Sequence, residues 1–243
     1  MRKTVFATDY YYHIYNRGIE KRTIFQQPGD YERFLLGLEE FNTADPVHIA
    51  TLSSNEARPR KKLIDVICFC LMPNHYHLII KQAIDGGITQ FMQKLGTGYA
   101  MYFNKRWDRK GILFEGKFKA KIIESDEYLT HLSRYIHLNP LNIMEPHWKQ
   151  KKIKDIIKAG KFLEEYRWSS YPIYTKKSTS GIISLENIEK ILLNTGEYEK
   201  FTLRYTPEDL NSIESCNPAR PTTRLGLVIA RPRNRLIAHK NPA

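Results

Sequence analysis

Apolar and polar positions along the chain fall into a few periodic blocks. The most ordered is Val66–Gln82, VICFCLMPNHYHLIIKQ, two β-rich apolar runs joined by the polar corner Met72-Pro73-Asn74. That pattern predicts a strand hairpin. Tyr10–Tyr15 is an aromatic run bounded by Asn16-Arg17-Gly18 and predicts an earlier strand. Between them, Pro28-Gly29-Asp30 signals a helix start, and Tyr31, Phe34, Leu35, Leu38 and Phe41 follow at helical spacing. Ile88–Trp107 predicts a long second helix; Gly96-Thr97-Gly98 inside it fits the close approach of another backbone. Ile112–Phe114 and Phe118–Ile123 read as a short β-ribbon around Glu115-Gly116. Ser125-Asp126-Glu127 caps a further helix, Glu127–His137, striped by Leu129, Leu132, Ile136 and Leu138 and ended by Asn139-Pro140.

The remaining segments are less regular. Asn42–Lys62 is a polar insertion with a possible strand at His48–Leu52 and a basic cluster at Arg58–Lys62. Beyond Gln150 come a basic helix-like run, the segment Tyr166–Tyr171, and a small module to about Tyr205. From about residue 215 the chain reads as a basic tail with little to order it.

A chain of 243 residues can bury one substantial core. Its 38 basic against 26 acidic residues give a net charge of +12, a field that attracts polyanions, nucleic acid first. No apolar run approaches the roughly 20 residues of a membrane helix, and the N-terminus lacks the apolar segment of a secretory signal. Cys68, Cys70 and Cys216 form no disulfide framework. A cytoplasmic protein with no membrane association is expected.

Three constellations carry chemistry. His75 and His77 alternate on one strand, so both imidazoles share a face while Tyr76, Leu78 and Ile80 enter a core. Such a pair is half of a metal site, or two satisfied polar residues. Asn104–Lys121 interleaves basic groups with Trp107, Phe114 and Phe118, which suits phosphate neutralisation and stacking on unpaired bases. Tyr135 and Asn139 are one helical turn apart and share a face if the helix persists.

The run MPNHYHLII resembles the HUH motif of single-tyrosine transposases, and Tyr135-Ile136-His137-Leu138-Asn139-Pro140 resembles the nucleophile helix of their REP-associated tyrosine transposase branch. His13-Ile14-Tyr15-Asn16-Arg17-Gly18, Tyr102–Lys121 and Tyr166–Tyr171 agree with it, in the family's order, over roughly residues 8–175. The resemblance implies an α+β fold, a ferredoxin-like (RRM-like) antiparallel sheet with helices packed on it, forming an HUH endonuclease core. It implies a domain over 1–175, interrupted at about 42–62, and a C-terminal extension over 176–243. It implies His75, His77 and Asn139 as ligands of Mg²⁺ or Mn²⁺, and Tyr135 as the nucleophile that forms a 5′-phosphotyrosine with single-stranded DNA carrying a hairpin, as in REP palindromes. In related insertion-sequence transposases a glutamine usually stands where Asn139 does. Arg17, Arg106, Arg109, Lys117 and Lys119 are the candidates for gripping that DNA.

Two other readings stay open. Cys68 and Cys70 could join His75 and His77 in a closed structural zinc site. A ferredoxin-like sheet with surface aromatics could also bind nucleic acid without cutting it. Spacing does not decide between monomer and homodimer, nor whether Tyr135 reaches the histidines of its own chain.

Overall fold

Four strands and two helices alternate through the first half of the computed structural model, which describes residues 5–46, 61–150, 153–195 and 197–214. They run β1 (Tyr11–Arg17), α1 (Pro28–Glu40), β2 (Ile64–Met72), β3 (His75–Gln82), α2 (Gly87–Arg106) and β4 (Lys119–Ile123). The sheet order is β2-β3-β1-β4, with every neighbouring pair antiparallel. This is the α+β, ferredoxin-like arrangement expected from the sequence.

Local chemistry explains each element. Pro28 opens α1 with its φ already helical, and the Asp30 carboxylate accepts from the backbone N–H groups of Gln26 and Gln27 at 2.8 and 3.1 Å. Tyr31, Phe34 and Leu38 then point inward, and Phe34 packs on Tyr76 of β3 and Tyr99 of α2, each at 5.0 Å between ring centres. Tyr12, Ile14, Leu78 and Ile80 complete that buried face of the sheet. Gly98 permits the contact between the helices, since a Cβ there would lie 2.7 Å from the Phe41 ring; at Gly96 nothing lies within 4 Å.

Two expectations change. β1 runs on through Asn16-Arg17, because Arg17 pairs with His75 and the Gly18 N–H bonds the Asn74 carbonyl at 2.9 Å. The predicted ribbon does not form: Lys119–Ile123 pairs with β1, and Phe114 makes only a single bridge, to Gly18. An isolated two-stranded ribbon is marginal in water, whereas β1 offers a free edge of backbone donors and acceptors. The expected strand at His48–Leu52, most of the Arg58–Lys62 cluster, Cys216 and the tail from 215 lie outside the described residues.

The sheet's other face carries α3 (Asp126–Leu138), capped by Ser125, whose side chain accepts from the Tyr128 N–H. There follow α4 (Leu141–Met144), α5 (Ile156–Glu165), α6 (Tyr171–Tyr174), α7 (Leu185–Thr195), α8 (Tyr198–Leu203) and α9 (Pro207–Glu214). α3 packs on β2, β3 and β4 and is covered in turn by α7, α8 and α9. The buried His137 ties these layers together. Its Nε2 lies 2.7 Å from Ser170 Oγ and 3.3 Å from Cys68 Sγ, and its Nδ1 lies 2.7 Å from the Tyr198 hydroxyl. Arg134, also buried, pairs with Asp209 at 2.9 Å and lies 4.3 Å over the Phe201 ring. Tyr166–Tyr171 borders β2: the Leu71 N–H bonds the Trp168 carbonyl and the Phe69 N–H bonds Ser170 Oγ, both at 2.9 Å. The helical rotation of α3, and with it the aim of Tyr135, is thereby fixed from both sides.

Candidate active site

β3 begins immediately after the two-residue turn Pro73-Asn74, and its first and third residues, His75 and His77, face α3. Their rings stand edge to face, 5.1 Å apart between centres. The Tyr135 ring of the same chain lies 6.2 Å from that of His77, again edge to face. Asn139 keeps helical dihedrals, φ −53° and ψ −38°, so the turn that puts it on the Tyr135 face persists. Its Nδ2 donates to the Tyr135 carbonyl at 2.9 Å, which leaves Oδ1 as its remaining polar atom for a ligand.

The structure adds a residue that the sequence reading did not assign. His13 of β1 places its Nε2 2.9 Å from His77 Nδ1, with the two rings stacked at 5.2 Å. On the other side, His75 Nδ1 donates to Asn74 Oδ1 at 2.6 Å. An amide oxygen only accepts, so this bond puts the His75 proton on Nδ1 and leaves Nε2 with its lone pair. Hydrogen bonds of this kind on the far nitrogen are how proteins orient a metal-ligating imidazole.

Burial keeps these histidines neutral. Burial first, then the charge of Lys121, pulls His13 down to about 3. Burial, followed by Lys149 and Arg17, lowers His75 to about 4. His77 is held well below the usual histidine range by burial and by His75, His13 and Lys149. At neutral pH the lone pairs face no competing protons, as cation binding requires. Among the described residues no three His, Cys, Asp or Glu side chains gather to hold a metal ion. Asn139 lies on the Tyr135 face of α3, and its amide oxygen is a donor of another type. Imidazole and amide-oxygen donors that leave coordination positions open suit Mn²⁺, which tolerates imidazole better than Mg²⁺ does.

A bulge between Val66 and Cys68 turns both cysteines to the histidine face, and Cys70 is opposite His77. Cys68, however, is opposite Ile79 and turned towards His137. Among the described residues the two cysteines and two histidines do not gather into the closed set of four that a structural zinc site takes.

The expected DNA-gripping residues divide. Arg17 pairs across the strands with His75 and makes a forked ion pair with Glu115, Nη2 to Oε1 at 2.9 Å. Lys119 lies 5.9 Å over the Tyr15 ring, which itself sits 5.8 Å from His77. Lys117 is exposed on the segment leading into β4 and borders a cavity with Asn16, Tyr76 and Phe118, on the α2 side of the sheet rather than the histidine side. Arg106 and Arg109 are elsewhere, at the end of α2. Arg106 lies 3.6 Å from Asp30 and bonds Gln27 Oε1 at 3.0 Å, and Arg109 bonds Asn104 Oδ1 at 3.0 Å. Two bases on the histidine side went unassigned: Lys121, opposite His13, and Lys149, whose Nζ lies 2.9 Å from the Tyr135 hydroxyl.

A search of curated proteins returns no match. Among solved structures, the chain is similar to one titled "Structure of the REP associates tyrosine transposase bound to a REP hairpin", at 12% identity and a TM-score of 0.46, over 76% of this chain and 90% of that one. The family model described as "Transposase IS200 like" matches residues 6–139, more than half of the chain and the whole stretch from β1 to Asn139. The chain belongs to the IS200-like transposase family.

Proposed function

We propose that this transposase cuts and rejoins single-stranded DNA through a covalent bond between Tyr135 and a 5′ phosphate. The juxtaposition of Tyr135 with His77, inside one chain, is the observation that carries the reading. A free tyrosine hydroxyl titrates near 10 and is a poor nucleophile at neutral pH, and a phosphodiester repels nucleophiles by its own charge. His75, His77 and Asn139 are the residues that would hold a divalent cation. Bound there, Mg²⁺ or Mn²⁺ would polarise the scissile phosphate and offset its developing charge. The rest falls to the chain. α3, wedged between the sheet and α7–α9, holds the tyrosine still, and Arg17, Lys119 and Lys121 supply positive charge along the adjoining strands. Attack by Tyr135 releases a 3′ hydroxyl and keeps the phosphodiester's energy in the phosphotyrosine, so a strand can be rejoined or transferred without ATP. The substrate we propose is single-stranded DNA bearing a hairpin, such as a REP palindrome, in keeping with Asn139 in place of glutamine.

The test is incubation with 3′-labelled hairpin oligonucleotides and Mn²⁺, followed by a denaturing protein gel. A labelled protein band that requires metal and vanishes in Tyr135→Phe supports the reading. Tight binding without such a band, indifferent to chelator, sinks it in favour of a non-cutting binding module.

A further inference from the structure

Lys149 occupies a position that neither the fold nor the metal ligands require. It sits half-buried in the loop after α4, with its Nζ 2.9 Å from the Tyr135 hydroxyl oxygen and 4.6 Å from the centre of the same ring. Among the described residues it makes no ion pair with a carboxylate. The loop is anchored. Trp148 is buried, its ring 5.2 Å from that of Tyr205 and 6.4 Å from that of Tyr135, and the Tyr205 hydroxyl donates to the Lys149 carbonyl at 3.4 Å. A long, flexible lysine is thus held by its neighbours on one phenol oxygen, and the chain after α7 provides part of the hold.

We propose that Lys149 is a catalytic residue that stabilises negative charge on the Tyr135 oxygen in both directions of the reaction. This rests on the reading of Tyr135 as nucleophile. An ammonium has three donors and no acceptor, so it can stabilise a phenolate but cannot remove its proton. In cutting, the Tyr135 oxygen bonds to phosphorus while the bond from phosphorus to the 3′ oxygen breaks. The hydroxyl proton passes to solvent, and the 3′ oxygen leaves with the electron pair and is protonated. In rejoining, a 3′ hydroxyl attacks the phosphotyrosine and the phenolate departs towards a donor already in place. Preorganised donors aimed at a developing oxyanion are among the largest contributions to such steps.

The experiment uses the full chain and a pool of 3′-labelled hairpin oligonucleotides with randomised flanks. Adduct formation with Mn²⁺ is timed at pH 7.5 for the wild type, Lys149→Met, Lys149→Arg and Tyr135→Phe. Lys149→Met is expected to slow adduct formation about a hundredfold, with oligonucleotide binding unchanged and Lys149→Arg recovering part of the rate. Matched thermal melts exclude misfolding as the cause. A wild-type rate in Lys149→Met overturns the proposal, as does a loss that tracks weakened oligonucleotide binding or is untouched by arginine. An adduct that survives in Tyr135→Phe overturns the nucleophile reading instead. No adduct from the wild type with any member of the pool overturns both.

Discussion

One hydrogen bond fixes the nitrogen His75 can offer: Asn74 takes the Nδ1 proton and leaves Nε2 with its lone pair. His13 occupies Nδ1 of His77, so His77 can offer its Nε2 when its Nδ1 donates to His13. His13→Phe keeps a ring in the buried space but removes the partner of His77. Loss of such supporting bonds typically costs about 10–100-fold in metal affinity. That weakening of Mn²⁺ binding is expected for His13→Phe in a calorimetric titration; wild-type affinity would make His13 a space filler only. The spacing His13-x-Tyr15-x-Arg17 repeats that of His75-x-His77, which is enough to place His13 on one face of a strand. Which strand that face would meet depends on the register Tyr15↔His77, set by pairing between segments about 60 residues apart, and no local pattern encodes it.

Elements were legible where their signals are local. The hairpin, α1, α2 and α3 follow from alternation, helical spacing, Pro28 with Asp30, and the Ser125 cap, and all form close to their expected bounds. The supposed ribbon at Ile112–Ile123 was misread because its partner is β1, a choice made by the whole sheet. Lys149 gave no signal, since it reaches Tyr135 across a loop without periodicity. The expected close approach of another backbone to the glycines of α2 is not found: Gly98 faces the Phe41 side chain, and Gly96 faces open space. At Gly98 a Cβ would strike the buried Phe41 ring, so Gly98→Ala is expected to destabilise by about 1–3 kcal/mol through overpacking. Gly96→Ala meets open space and should stabilise by up to about 1 kcal/mol from helix propensity. Denaturant melts of the two variants read the difference, and equal shifts would contradict the Phe41 contact.

Across the whole molecule, the buried histidines make stability depend on pH. His13 and His137 are lowered to about 3, and His75 to about 4, chiefly by burial, from 6.5 in an exposed chain. Folded-state values below the unfolded one mean that the unfolded chain takes up protons first on acidification. Stability contributed by the neutral rings is therefore full above about pH 6.5 and is lost as pH falls towards 4. Each such histidine contributes a slope of about 1.4 kcal/mol per pH unit in that window. In metal-free protein, urea melts between pH 8 and pH 4.5 should show a steepening loss below pH 6.5, and a flat profile would mean that the rings are hydrated. The net charge of +12 sets a second dependence, because binding to a polyanion weakens as salt rises.

The most direct measurement is mass spectrometry of the trapped protein–DNA adduct after protease and nuclease digestion. Tyr135 as nucleophile predicts a single nucleotide phosphate on the hydroxyl of Tyr135, in the peptide around Arg134-Tyr135-Ile136. The same modification on any other residue, with the Tyr135 peptide recovered bare, would contradict it.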